Sequence, residues 1–193
     1  MSADYDVVVV GGGMAGLRAA LTAGRLGRSV ALLSSGVPGG QLLSIEHIDG
    51  VPGYAEGVAG YDLCPITQEQ CDAVGVTLIT DPCERIAASD SGWTVSGPGG
   101  DVTARGLIIA SGTALAKLGV PGEEEYEGRG VSDCASCDAP LLRNKTAVVA
   151  GGGDSAMQEA LVVADHAAKV ILVTNGDGLH GQADYRERIE GNG

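Results

Sequence analysis

The chain has 193 residues, 44% of them apolar and 19% charged, with 32 glycines, no phenylalanine and a formal net charge of −13. That is a globular composition, long enough for one large or two small domains, and collagen-like order is excluded because the glycines follow no three-residue period. The negative field disfavours nucleic acid as a partner, and no apolar run approaches the roughly 18 residues that a membrane span needs. The opening Met1-Ser2-Ala3-Asp4-Tyr5-Asp6 lacks the basic flank of a signal peptide. Five cysteines make no dense, even-numbered framework, so a cytoplasmic, reducing location is expected.

The β-branched run Tyr5–Val10 predicts a buried parallel strand. It runs into Gly11-Gly12-Gly13-Met14-Ala15-Gly16. A helix should follow with Met14, Leu17 and Leu21 on one face, flanked by Ala20 and Ala23 and ended by Gly27. Ser29–Leu33 then reads as a second strand, completing a βαβ unit. Residues 36–57 are rich in Gly and Pro and predict an ordered loop, and 58–74 predicts a helix. The stretch 76–104 alternates in short pieces, with Gly97-Pro98-Gly99-Gly100 as a turn between Trp93-Thr94-Val95 and Asp101-Val102-Thr103. Gly106–Ala110 predicts a further buried strand, ending in Ser111-Gly112-Thr113.

Residues 114–130 hold Pro121 and the acidic run Glu123-Glu124-Glu125-Tyr126-Glu127, which reads as a solvated link between domains. Thr146–Ala150 predicts another buried strand, followed by Gly151-Gly152-Gly153-Asp154-Ser155-Ala156. The next helix should place Met157, Ala160, Leu161 and Ala164 on one face, with Val170–Val173 as the partner strand. This second βαβ unit lies 140 residues after the first.

Gly11, Gly13 and Gly16 form G-x-G-x-x-G after a strand and before a helix, the context a dinucleotide fingerprint requires. The first glycine permits the tight turn, the second lets backbone approach a pyrophosphate, and the third packs helix on strand. An ordinary glycine-rich turn is the bland alternative. Gly151, Gly153 and Ala156 repeat the pattern as G-x-G-x-x-A, and two such units argue more strongly than one. About 18 residues beyond the first fingerprint, where an acidic ribose ligand is common, Ser34 and Ser35 stand instead. Thr174, Asn175 and Gly176 follow the second, with no arginine for a 2′-phosphate, and Arg186 and Arg188 come later. The choice between NADP and NAD stays open.

Cys134-Ala135-Ser136-Cys137 can close a small, reducible disulfide ring. A helix starting there would lower one thiol pKa, and Asp138 could move a proton to or from the pair. Zinc would need four ligands, and neither a second C-x-x-C nor a His pair supplies them. No metal is therefore expected. Cys64, Cys71 and Cys83 read as inert thiols, and His47, His166 and His180 as surface or packing residues.

The order of motifs is more specific than any one of them. It runs through the first fingerprint, Gly39-Gly40-Gln41-Leu42, Ser111-Gly112-Thr113, Gly119-Val120-Pro121-Gly122-Glu123, the stretch from Gly130 to Asp138 that holds CASCD, and the second fingerprint. This series resembles the low-molecular-weight thioredoxin reductase family, flavoproteins with two dinucleotide-binding domains. The resemblance implies an α/β fold of two Rossmann-like dinucleotide-binding units of the FAD/NAD(P)-binding type, the second incomplete. Residues 1–113 would form the FAD-binding domain and 114–193 the pyridine-nucleotide and dithiol domain.

By the same resemblance FAD would meet Gly11, Gly13, Met14, Ala15, Gly16, Ser34, Gly40, Gln41, Leu42 and Gly112. NADPH or NADH would meet Gly151, Gly153, Asp154, Ser155 and Ala156. Hydride would pass from nicotinamide to flavin and electrons onward to the Cys134–Cys137 disulfide. Cys137 would lie nearer the flavin, Cys134 would attack the disulfide of a thioredoxin-like partner, and Asp138 would act as acid/base. Such proteins are homodimers whose domains rotate between half-reactions. Members of the family continue past this C-terminus to a Gly-Asp flavin motif, so a C-terminally shortened member is expected. Two other readings stand beside the reductase: a ferredoxin-linked reductase or dithiol oxidase with the same core, and a non-catalytic nucleotide-binding fragment.

Overall fold

A computed structural model describes residues 3–90, 92–176 and 178–191. The chain divides into two compact units, one reaching to Ala114 and the other starting at Leu115. Among the described residues no helix is long and apolar enough to cross a membrane.

In the first unit β1 (Tyr5–Val10), α1 (Met14–Arg25) and β2 (Val30–Ser34) form the expected βαβ unit. After them come α2 (Gly60–Ala73), β3 (Thr77–Thr80), β4 (Arg85–Ser89), β5 (Gly92–Gly97) and β6 (Gly100–Ile109). The strands make one sheet in the order β3-β2-β1-β6-β5-β4, parallel from β3 to β6 and antiparallel from β6 to β4. β1 is bonded on both sides, which suits its run of valines: Val8 and Val9 have no exposed surface. Its side chains alternate between two cores. Val9 packs with Leu17, Ala20 and Leu21 of α1 and with Val30 and Leu32, while Val8 and Val10 pack with Ala31, Leu33, Val95 and Ala104.

Two expectations for this unit need correction. The hairpin strand near 101–103 and the return strand from Gly106 are one ten-residue strand, β6. Gly106 reads as punctuation in the sequence, yet its backbone stays extended and paired with Val7. Full burial of the strand's end also fails, since Ile108 is 36% and Ile109 65% exposed. The cause is coverage: α1 packs mainly over β1 and β2. In the Gly/Pro loop, a 3-10 turn at Gly40–Ser44 and a bridge between Ile48 and Val58 supply the order.

The second unit opens with turns. The Glu123 carboxylate accepts from the N–H groups of Leu118 (2.8 Å) and Gly119 (2.7 Å), and Lys117 Nζ lies 3.2 Å from Glu127 and 3.7 Å from Asp133. Then come α3 (Ala135–Asp138), a 3-10 turn at Ala139–Leu142, β7 (Thr146–Ala150), α4 (Asp154–Ala164), β8 (Lys169–Val173) and α5 (Ala183–Gly191). β7 and β8 pair in parallel as a two-stranded sheet. Both alternate between exposed and half-buried instead of being buried throughout, because α4 covers one face only. On α4 the buried positions are Met157, Ala160 and Val163; Ala164, expected inside, is exposed.

Leu17 has no exposed surface and sits centrally in the α1 core. Leu17→Ala should cost about 2–4 kcal/mol, read as a lower urea midpoint by circular dichroism with the slope of the transition unchanged.

Candidate functional site

The turn after β1 is built on close backbone approach. A Cβ on Gly16 would overlap the carbonyl oxygen of Gly11, and one on Gly11, at φ 111°, would overlap that of Ala110. Gly13, at the N-cap of α1, faces empty space, and no side chain caps the helix. The first-turn amides at Met14, Ala15 and Gly16 are thus left for an outside acceptor. This turn lies at the carboxyl ends of the parallel strands, beside the switch point where the chain moves from β2 on one side of β1 to β6 on the other.

Two further segments converge there. The Gly39 N–H donates to the Gly12 carbonyl at 2.8 Å, which sets Gly40-Gln41-Leu42 beside the turn. Gln41 Nε2 donates to the Thr113 carbonyl at 2.8 Å, which ties that segment to Ser111-Gly112-Thr113. Ser34 is buried against Gly12, and its hydroxyl donates to the Gly36 carbonyl at 2.8 Å. These residues form a glycine-lined cradle with free donors that fits a dinucleotide pyrophosphate.

In the second unit Gly151, Gly153 and Ala156 form the corresponding turn. Gly153 is the N-cap of α4, again without a side-chain cap, and faces empty space. The Asp154 carboxylate is engaged by Gln182, from the backbone N–H at 2.6 Å and from Nε2 at 3.2 Å. Asp154 therefore offers a ligand its backbone N–H, as does exposed Ser155. The following loop also closes on the turn, the His180 N–H donating to the Gly152 carbonyl at 2.8 Å.

Cys134 and Cys137 are joined as a disulfide with their Cα atoms 5.3 Å apart. Cys137 is exposed and Cys134 half-buried. The Cys137 N–H donates to Cys134 Sγ at 3.3 Å, and the Cys134 N–H donates to Ser132 Oγ at 3.1 Å. The helix expected at the pair is the four-residue α3, whose first amide, Ala135 N–H, donates to the Glu159 carboxylate of α4 at 2.7 Å. An anion therefore holds a donor that was expected to favour a thiolate. Half-buried Asp138 closes α3 directly after Cys137. Among the described residues no group of three or more His, Cys, Asp or Glu is placed to hold a metal.

Residues 5–190 match the family of pyridine nucleotide-disulphide oxidoreductases. The chain belongs to this family. Its sequence is 39% identical to the thioredoxin reductase of Treponema pallidum over 188 residues, covering 97% of this chain and 61% of that one. It is 35% identical to the thioredoxin reductase of Bacillus subtilis, covering 95% of this chain and 58% of the other. Among solved structures, Lactococcus lactis thioredoxin reductase superposes with a TM-score of 0.86 at 36% identity, covering 96% of this chain and 61% of that chain. The T. acidophilum thioredoxin reductase gives a TM-score of 0.83 at 28% identity, covering 97% of this chain and 62% of the other. The chain thus spans about three-fifths of the length of these relatives.

In this member of the family, the polar groups around the Cys134–Cys137 disulfide carry no signal in the sequence. Ser132 and Glu159 belong to no motif, and Glu159 meets Ala135 from 24 residues away. The remaining cysteines belong to the first unit. Cys64 and Cys71 are buried, Cys71 Sγ donating to the Leu17 carbonyl at 3.2 Å, and Cys83 is half-buried. Burial pushes both buried thiols above the ordinary 9.0. The unfolded chain therefore releases these protons first, so their contribution is intact below pH 9.0 and is lost as pH rises through the higher folded values. In the reduced native protein, iodoacetamide should modify Cys134 and Cys137 while sparing Cys64 and Cys71 until denaturant is added, as peptide mass mapping will report.

Proposed function

We propose that the chain acts as an FAD-dependent disulfide oxidoreductase, passing electrons from NAD(P)H to the Cys134–Cys137 disulfide and on to a thioredoxin-like protein. One observation carries this reading: an exposed disulfide lies on a turn packed against α4, the helix that begins at the second dinucleotide turn. The division of labour is FAD in the domain of residues 1–113 and pyridine nucleotide and dithiol in that of 114–193. FAD, when bound, supplies a two-electron carrier between nicotinamide and disulfide.

The chain's own residues bind and exchange. Backbone donors at Gly13, Met14, Ala15 and Gly16 hold the flavin nucleotide's pyrophosphate, with Ser34, Gly40, Gln41, Leu42 and Gly112 around it. Gly151, Gly153, Asp154, Ser155 and Ala156 hold the pyridine nucleotide in the same manner. With the pair reduced, one cysteine thiolate attacks the partner's disulfide, forming a mixed disulfide and expelling one partner thiolate. The second cysteine then attacks the mixed disulfide, re-forming Cys134–Cys137 and releasing the partner with both its sulfurs reduced. Asp138 serves the attack by taking a thiol proton. The resemblance assigns the attack to Cys134, whereas the greater exposure of Cys137 favours Cys137 as the sulfur an outside disulfide meets first. Homodimerisation and a cytoplasmic location complete the proposal, supported by the similarity to thioredoxin reductases and by the reducible pair.

The end of β8 favours an electron donor other than NADPH. Thr174, Asn175 and Gly176 follow it without a cation, and the Thr174 hydroxyl donates to the Gly176 carbonyl at 3.3 Å. Among the described residues directly after β8 none offers a 2′-phosphate a charge-assisted partner. NADH should accordingly bind about tenfold or more tightly than NADPH in a nicotinamide fluorescence titration, a difference of about 1.4 kcal/mol. Equal affinities, or tighter NADPH, would refute the preference; binding of neither would favour the ferredoxin-linked or oxidase reading.

Purified protein should show a visible flavin spectrum that bleaches with the pyridine nucleotide and should reduce a thioredoxin-like disulfide. Cys134→Ser and Cys137→Ser should each lower that activity by about two orders of magnitude or more. The single variant that still traps a mixed disulfide identifies the attacking sulfur. A colourless protein without disulfide reduction would overturn the assignment in favour of a non-catalytic nucleotide-binding role.

A further inference from the structure

We propose that Glu159 is a positioning residue for the dithiol, holding the turn that presents it and keeping the reduced pair in its thiol form. The inference rests on reading Cys134–Cys137 as redox-active, and it concerns a residue outside both glycine fingerprints. The Glu159 side chain is half-buried on α4, and its carboxylate accepts from the Ala135 N–H at 2.7 Å. That contact ties α4 to the backbone between the two cysteines. Ser132 fixes the other side of Cys134, accepting from its N–H at 3.1 Å and donating to its carbonyl at 3.2 Å. The geometry of the Cys134 backbone is thereby set from both sides.

The electrostatic consequence follows from the sign of the charge. A thiolate on Cys134 would form one residue from an N–H that already holds a carboxylate, and that carboxylate cannot turn away without giving up the bond. A nearby like charge raises a thiol pKa. Asp133 and Asp138 flank the pair and act in the same direction; of the cations on the preceding segment, Lys117 is shared between Glu127 and Asp133, and Arg129 donates to the Glu125 carbonyl. One donor works the other way: the Cys137 N–H directed at Cys134 Sγ. From α4, Glu159 adds negative charge, and its neighbour Gln158 is neutral. Reduction of the disulfide takes two electrons, and in these surroundings the two sulfurs take up two protons with them.

The test uses the full chain, reduced with dithiothreitol and desalted, with thiol pKa values read from the pH profile of iodoacetamide alkylation. Glu159→Gln keeps an acceptor for the Ala135 N–H and removes the charge. It should lower the pKa of the first-reacting thiol by about one unit, making alkylation about tenfold faster below that pKa. Glu159→Ala, which removes charge and acceptor together, should show a shift of the same sign and serves if the glutamine variant does not fold. Exposed Gln158→Ala, on the same helix, should titrate like the wild type. Glu159 variants that fold and titrate like the wild type would overturn the inference, as would an upward shift. A separate readout tests the underlying reading: if the wild-type pair does not exchange with dithiothreitol, the redox assignment fails, whereas normal exchange with an unmoved pKa in the variants removes Glu159 alone.

Discussion

The contact between Gly16 and the Gly11 carbonyl is the constraint on which the first unit depends. Without side chains at these two positions, α1 can start directly against the end of β1. That start aims the uncapped first turn outward past the carboxyl ends of the strands. It also fixes where Gly12 offers its carbonyl to Gly39, and from Gly39 the chain reaches Gln41 and, through it, Thr113. A side chain at Gly16 would therefore move more than a helix. It would separate three segments, 11–16, 39–42 and 111–113, that lie far apart in the sequence. The second turn relaxes the rule, since Ala156 replaces the third glycine and its Cβ lies 2.7 Å from where a Cβ of Gly151 would sit. One methyl is accommodated there because Gly151 has none.

Both turns use the same physics, and the second lies in the unit that holds the disulfide. α4 begins at Gly153 without a side-chain cap, and about a turn and a half later presents Glu159 to the Ala135 N–H, within the disulfide loop. One rigid helix thus has an anion-seeking end and an anion on its flank. The two features need not conflict, because the field of a helix terminus falls off within the first turn. The pair is held by hydrogen bonds to its backbone and presented with Cys137 outward. Exchange chemistry needs a sulfur that is accessible yet returns to its partner, and a fixed turn provides that return.

Much of this architecture was legible in the residues. The valine run of β1, the leucine spacing of α1 and the two glycine fingerprints each express a strong local rule, and β1 and both βαβ units follow them. The pairing of Cys134 with Cys137 was legible for the same reason, since the spacing itself permits the ring. What was hidden depends on tertiary coverage. The run Leu107-Ile108-Ile109 looks uniformly apolar, but its exposure is decided by where α1 lies. Likewise, Val163 lies inside and Ala164 outside through the rotation of α4 against its neighbours, which periodicity fixes only to within a position. Glu159 was illegible because a glutamate on a helix ordinarily signals a solvated face. Only the fold brings it to Ala135.

The distribution of apolar contact between the units gives those hidden polar groups added weight. The first unit buries valines and leucines on both faces of a six-stranded sheet. The second has two strands and one covering helix, and it leaves Val148 64%, Ile171 39% and Val173 48% exposed. A two-stranded sheet with one covered face gains little from burial. Its order must rest in larger part on specific ties: the bridge of Arg143 to Ala167, the Ala168 N–H on the Lys145 carbonyl at 2.9 Å, Gln182 on Asp154, and Ala135 on Glu159. Each tie is directional, so each holds a particular backbone geometry where hydrophobic burial alone would tolerate several. The Cys134–Cys137 disulfide therefore stands in the unit where local polar contacts, more than bulk packing, decide the position of the sulfurs.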